Sequence, residues 1–238
     1  MRVKINGEIL PDDFAAMYRD WGYDTGYTNP GALREAVDAN PAGEDLVLEI
    51  NSVGGACDAA AEMYSVIQQA VASGMRVVAE IQSLAASAAS WLALACSEVR
   101  ISLSAQMMIH CSSVWTAGNA AMLRHDAELL DAQDETILNL YERKCAGKAS
   151  RDTLREMLDH ETYITAPEAV RLGLADSIIG GGEGAALPAV ANSVQDCVVR
   201  AMRTLPDISE LMERDNDRRQ EEAQRQRDRL RLEAGRWA

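Results

Sequence analysis

Leu46-Val47-Leu48-Glu49-Ile50-Asn51-Ser52-Val53-Gly54-Gly55 is the stretch from which the architecture is read. Its first half is an apolar run of the buried-strand kind, and residues 51–55 are small, turn-forming residues that end such a strand. Over residues 58–73, alanines recur with Met63, Val66, Ile67 and Ala70 at helical spacing, which completes a strand-turn-helix unit. The rhythm then repeats: residues 76–81 read as a strand, a small-residue turn follows, and residues 86–96 form a nearly all-apolar, buried helix. Strands that alternate with helices predict an α/β layer structure whose parallel strands present a site at their carboxyl ends.

Upstream, residues 3–9 alternate apolar and polar side chains as a strand does, and Pro11-Asp12-Asp13 reads as the turn that closes it. Residues 22–41 hold Gly, Asn, Asp and Pro around one short helix, 32–39. Downstream, residues 99–102 and 107–110 read as short strands. A long helix spans 120–146, with apolar Met122, Leu129, Leu130, Ile137, Leu138 and Tyr141, and ends at Gly147. Further helices are expected at 151–158 and 166–172, the latter closed by Gly173, before a strand at 175–179. The glycine run from Gly180 to Gly184 opens a flexible linker, and residues 207–236 are dominated by Arg, Glu, Asp and Gln. The expected organisation is therefore a structured unit over 1–180, a linker over 181–206 and a charged tail over 207–238.

The 238 residues carry 23 Lys and Arg against 37 Asp and Glu, a net charge of −14 that repels a phosphate backbone and excludes nucleic acid as a partner. No apolar run approaches the roughly 20 residues of a membrane span, and no N-terminal stretch has the form of a secretory signal. The expectation is a soluble, cytoplasmic protein. Five scattered cysteines, none in a CxxC pair, indicate neither a disulfide framework nor a zinc site.

Only three histidines are available for acid-base chemistry. His125 lies mid-helix among charged neighbours, and His160 follows Asp159 in a polar turn. His110 ends an apolar strand, where a side chain is presented to a cleft. Ser87 lies in Ser83-Leu84-Ala85-Ala86-Ser87-Ala88-Ala89-Ser90, between a strand and a buried helix. Small residues there also serve close helix packing. A serine at such a junction, however, has its Oγ exposed by the tight turn and helix N–H groups beside it to stabilise an oxyanion. Residues 51–55 lack the following Lys-Ser/Thr of a phosphate-binding loop, which leaves a backbone free to aim an N–H at a tetrahedral intermediate.

Taken together, these segments resemble the Clp protease proteolytic-subunit family. Ile50-Asn51-Ser52-Val53-Gly54-Gly55 is similar to its Ile-Asn-Ser-Pro-Gly-Gly signature, with Val53 in place of Pro. Residues 83–87, continuing through Trp91-Leu92-Ala93, are similar to the Gly-x-Ala-Ala-Ser segment that carries its nucleophile, with Ser83 in place of Gly. Met107-Met108-Ile109-His110 matches the stretch that ends in its base, and residues 165–176 match its closing segment. The blocks stand in family order over about residues 1–180.

The resemblance implies Ser87 as nucleophile, His110 as general base and the N–H groups of Gly55 and Ala88 as oxyanion hole. Counted back from Thr165-Ala166, the family's acidic position is occupied by Glu161, with Asp159 two residues earlier. It also implies a crotonase-like ClpP fold of repeated ββα units with a projecting handle helix, polypeptide substrates and a ring-shaped homo-oligomer, with no metal or organic cofactor. Ser83, the irregular region from Gly22 to Pro41 and the charged tail resemble phage and prophage members, for which capsid or scaffold maturation in the host cytoplasm is expected. An unfoldase ATPase partner is compatible with the family. Two other readings stay open at this point: a crotonase-like acyl-CoA hydratase or isomerase, and an assembly protein whose protease site is vestigial or used once.

Overall fold

The computed structural model of the chain describes residues 1–180. The expected linker over 181–206 and charged tail over 207–238 lie outside the described residues. The elements run β1 (Arg2–Ile9), α1 (Asp12–Asp20), β2 (Tyr27–Thr28), α2 (Pro30–Ala39), β3 (Leu46–Gly55), α3 (Cys57–Ala72), β4 (Val77–Ala86) and α4 (Ala88–Ala95). They continue with β5 (Glu98–Ile101), β6 (Gln106–Ile109), α5 (Ala120–Cys145), α6 (Arg151–Asp159), β7 (Thr162–Thr165), α7 (Ala166–Leu172) and β8 (Ser177–Ile178).

The strands form one sheet in the order β2-β1-β3-β4-β5-β8, with β6 on the second half of β4 and β7 on β6. Every pairing is parallel except β6 with β7. This is the α/β architecture expected of a crotonase-like ClpP fold. One face of the sheet is apolar, because Ile5, Leu48, Ile50, Ala79, Ile81 and Val99 are fully buried. α4 covers β3 and β4, and α3 packs on α4. α4 is buried along its whole length, which only its run of Ala, Ser, Trp and Leu permits at such close approach.

The sequence reading departs from this architecture in several places. The small-residue stretch after residue 81, read as a turn, continues β4 to Ala86, because residues 84–86 pair with β6, and the helix starts only at Ala88. The strand β7 has no counterpart in the sequence reading. Residues 51–55 are the last half of β3 and not a turn, since Ser52, Gly54 and Gly55 remain paired with β1. Pro11-Asp12-Asp13 opens α1, with Pro11 at the N-cap and two acidic residues in the first turn, where they complement the helix dipole. The long helix is not apolar along its length: Met122 and Leu129 are exposed, and its buried side begins at Asp134 and continues through Ile137, Leu138, Tyr141 and Cys145.

β4 changes neighbour along its length. Residues 78–81 pair with β5, whereas residues 84–86 pair with β6. The register of β3 on β4 also shifts between Ile50 and Ser52. Bulges of this kind bend a strand and re-aim its last residues. Here they bring the carboxyl ends of β3, β4 and β6 to one place.

Candidate active site

Ser87 is the residue between β4 and α4, and its backbone has φ 52° and ψ −130°. A positive φ is uncommon for a residue with a Cβ and costs about 1–3 kcal/mol, so the surroundings must hold it. They do so through both peptide groups. The Ser87 N–H donates to Met108 O at 2.8 Å, and the Ser87 carbonyl accepts from Ser90 N–H at 2.9 Å and from Ser90 Oγ at 2.6 Å. The strand-to-helix elbow thus turns the serine side chain out of the sheet.

His110 follows β6 directly. Its Nε2 lies 2.7 Å from Ser87 Oγ. For the hydroxyl to donate in this pair, Nε2 must be the unprotonated nitrogen, which puts the imidazole proton on Nδ1. Among the described residues, Nδ1 has no hydrogen-bond partner. His125 and His160 are exposed residues of α5 and of the turn after α6, and neither hydrogen-bonds to Ser87.

The end of β3 forms the opposite wall. A Cβ placed on Gly54 would stand 2.7 Å from Ser87 Cβ, 2.8 Å from Ala86 O and 3.0 Å from Ala88 N, so only glycine fits against the elbow. On Gly55 it would stand 2.2 Å from Ile9 O, because β1 presses on the other side. Gly54 N–H is engaged by Ser52 Oγ at 3.2 Å, and Ser52 Oγ in turn donates to Gly7 O at 2.5 Å. Ala56 N–H donates to Ile9 O at 2.9 Å. Gly55 thus stands between Gly54, which packs on the elbow, and Ala56, whose N–H faces β1. Ala88 opens α4, where the first N–H groups of a helix have no intrahelical acceptor. Ala88 N lies beside the elbow, 3.0 Å from where a Cβ on Gly54 would stand.

The two acidic candidates differ in placement. The antiparallel ladder of β6 on β7 ends at Ile109 with Thr162, so His110 and Glu161 are the next residues beyond its end on the two strands. Glu161 itself has φ 45° and is exposed, and no hydrogen bond joins it to the imidazole. Asp159 is the last residue of α6, not part of an extended segment, so the alternation of side chains along a strand does not govern it. Its Oδ1 accepts from Cys111 Sγ at 3.4 Å, the neighbour of His110 rather than His110. Burial, helped by hydrogen bonds to Asp134 and Asp159, pushes the Cys111 thiol up to about 12, so this cysteine beside the imidazole stays protonated and is no rival nucleophile at neutral pH.

Three side chains around the site are not among those the sequence pointed to. Ser90 and Tyr141 are fully buried and lie 2.5 Å apart, oxygen to oxygen. Asp134 is a buried carboxylate on α5 that accepts from Ser112 N–H at 2.6 Å and Ser112 Oγ at 2.7 Å. Ser90 looks like one more small residue of a packing run and Tyr141 like one more core position. Their partners are 51 and 22 residues away in the chain, which no local pattern signals.

Known proteins of similar sequence bear on its chemistry. The sequence model described as Clp protease matches residues 35–182. The chain is 32% identical over 145 residues to the ATP-dependent Clp protease proteolytic subunit 1 of Chlamydia abortus, an alignment covering 59% of this chain and 72% of that relative. The chain belongs to the Clp protease family. Membership supports peptidase chemistry, and members of the Clp protease family form ring-shaped oligomers that act on polypeptides. The matched region begins within α2 and takes in β3, β4, β6 and β7, hence every segment that lines the serine-imidazole pair except β1. Among the described residues, no helix is long and apolar enough to cross a membrane.

Proposed function

We propose that the chain is a serine endopeptidase in which Ser87 is the nucleophile, His110 the general base, Glu161 the acidic partner of the imidazole, and the Gly55 and Ala88 N–H groups the oxyanion hole. The observation that carries this reading is the 2.7 Å contact between Ser87 Oγ and His110 Nε2 at an elbow with positive φ. Ser87 Oγ attacks the carbonyl carbon of a peptide bond as its proton passes to His110 Nε2. The resulting oxyanion lies between the Gly55 and Ala88 N–H groups. When the tetrahedral intermediate collapses, the C–N bond breaks, the leaving amine takes the proton from His110, and an acyl-serine remains. Water then attacks the ester with His110 again as base, releasing the acid and restoring the serine. The β6–β7 register supports Glu161 as the carboxylate that holds Nδ1–H and stabilises the imidazolium. Asp159 is engaged by Cys111 instead.

The peptidase unit spans residues 1–180 in this reading, and the substrates are polypeptides that enter a ring-shaped homo-oligomer. The phage-type role, maturation of capsid or scaffold proteins, is supported by Ser83 at a signature position and by the charged composition of residues 207–238.

Intact-mass analysis after treatment with a fluorophosphonate tests the assignment. One adduct per chain, mapped to Ser87, is expected. Ser87→Ala should remove both labelling and hydrolysis of a peptide reporter while leaving thermal unfolding unchanged, since loss of a triad member costs several orders of magnitude in rate. A folded Ser87→Ala protein that keeps more than about a hundredth of the activity overturns the nucleophile assignment.

A further inference from the structure

Helix α5 buries Asp134 and Tyr141 on a side otherwise made of Ile137, Leu138 and Cys145. Seven residues apart, they lie on one face, separated by two turns or about 10.5 Å along the axis. Each reaches one half of the serine-imidazole pair. Ser90 Oγ stands 2.6 Å from the Ser87 carbonyl and 2.5 Å from the Tyr141 hydroxyl. A carbonyl has no proton to give, so the Ser90 hydroxyl donates to Ser87 O and the Tyr141 O–H must donate to Ser90. The chain of donors therefore runs one way, from the helix to the peptide group of Ser87 itself. Burial also pushes the Tyr141 phenol well above its usual range, which keeps it a donor across the working pH range. Asp134 grips the segment of the other half: Ser112, whose N–H and Oγ it binds, lies two residues beyond His110 in the irregular run that links β6 to α5.

We infer that α5 is the positioning element of the site: Tyr141, acting through Ser90, and Asp134, acting through Ser112, hold the nucleophile's elbow and the base's strand end in one frame and so set the alignment of Ser87 with His110. The inference rests on the reading of Ser87 as nucleophile and His110 as base. Its physical ground is the direction of the bonds. Packing alone is served by apolar side chains of similar shape, and burying a carboxylate is unfavourable unless its bonds are made. Both polar groups are instead spent on the backbone of the two catalytic segments, where the elbow carries a positive φ that needs restraint. Ser90, Tyr141 and Asp134 touch no reacting atom. They are positioning residues.

The test separates alignment from stability in the full-length chain. Fluorophosphonate labelling of Ser87 is followed over a range of probe concentrations, giving the maximal acylation rate and the probe's half-saturation separately, next to thermal unfolding of each variant. Tyr141→Phe, which removes one oxygen, should lower the maximal rate about tenfold with half-saturation unchanged, the size of effect that small misplacements of reacting groups produce. Ser90→Ala should cause a similar loss, and combining the two should add little, because one chain is broken twice. Asp134→Asn keeps an oxygen for the Ser112 N–H and should retain more rate than Asp134→Ala. Folded Tyr141→Phe and Ser90→Ala proteins that label at the wild-type maximal rate, even with lower unfolding temperatures, overturn the inference and assign these groups to packing. If Asp134→Ala does not fold, Tyr141→Phe alone decides. Wild-type protein that labels at a residue other than Ser87 breaks the underlying assignment and the positioning role with it, an outcome distinct from unchanged rates in the variants.

Discussion

The two halves of β4 meet opposite demands. Residues 77–81 continue an unshifted register with β3, residues 78–81 also pair with β5, and Val77, Ala79 and Ile81 point into the core while Glu80 faces outward. Residues 84–86 leave β5 for β6, follow a register shift in β3, and run into Ser87 at φ 52°. In the regular half, Lys4, Glu49, Glu80 and Arg100 stand in one cross-strand row, with neighbouring rows wholly apolar. In the distorted half Ala85, Ala86, Ser52 and Gly54 are small, and the polar groups are serine hydroxyls and backbone N–H and C=O. The difference shows how one strand supports both tasks. The regular half supplies burial and pairing, and the stability gained there tolerates a strained residue at the other end.

Glycine substitutions give the largest contrast between the two ends. Gly54 has φ 92° and would place a Cβ 2.7 Å from Ser87 Cβ. Gly43, in the connection leading into β3, has φ 81° and nothing within 4 Å of an added Cβ. Gly54→Ala should therefore lower the acylation rate at Ser87 by at least about a hundredfold, because the elbow itself must shift. Gly43→Ala should cost about 1 kcal/mol of stability for its backbone conformation alone and leave acylation unchanged. Equal effects of the two substitutions on acylation would remove the distinction between the halves.

The acidic partner gives the next effect. Glu161→Gln should lower acylation at least about tenfold, because an amide can favour the wrong imidazole tautomer and cannot stabilise the cation. Asp159→Asn, whose contact is with Cys111, should change it much less. Rates measured on both at the same oligomeric state decide between them. A loss confined to Asp159→Asn shifts the acid to residue 159, and no loss in either leaves a serine-histidine dyad.

How much of this was legible in the sequence follows from the range of the interactions. The apolar run at 46–50 and the helical spacing after residue 58 are local patterns, and each produced the expected element, whereas the small residues before Ser87, read as a turn, continue β4 to Ala86. Residues 51–55 misled because Asn, Ser and Gly are turn residues by local preference, yet β1 flanks them closely enough that glycine is needed within a strand. Pro11-Asp12-Asp13 misled for a related reason: Pro followed by acidic residues marks a turn and also a helix start, and only the buried Ala15 and Tyr18 of α1 decide which. The pairing of Ser87 with His110 came from the family resemblance, and the gap of 23 residues is closed by β6 lying on β4. The bonds of Tyr141 and Asp134 depend on where α5 docks, and tertiary contact of that kind leaves no periodic signal.

The smallest effect belongs to the ion pairs on the regular half. Glu98, at the start of β5, bonds Arg100 Nε at 2.7 Å and also pairs with Arg76. These interactions, the Arg100 hydrogen bond foremost, hold the Glu98 carboxyl below its ordinary value of 4.5. A lowered folded-state value means that the unfolded chain takes up the proton first as acid is added. The stabilisation is therefore complete above about pH 4.5 and is lost as pH falls through the folded-state value. The group is partly exposed, so its share stays near that of a surface pair, within about 1 kcal/mol, and salt screens it. Glu98→Gln should accordingly lower the unfolding temperature slightly at pH 7 in low salt, with the difference shrinking in high salt and again as the pH is taken well below 4.5. Acylation at Ser87 should not change. A difference from wild type that grows toward acid pH would reverse the sign of this linkage, and a change in acylation would show that the regular half of the sheet reaches the site after all.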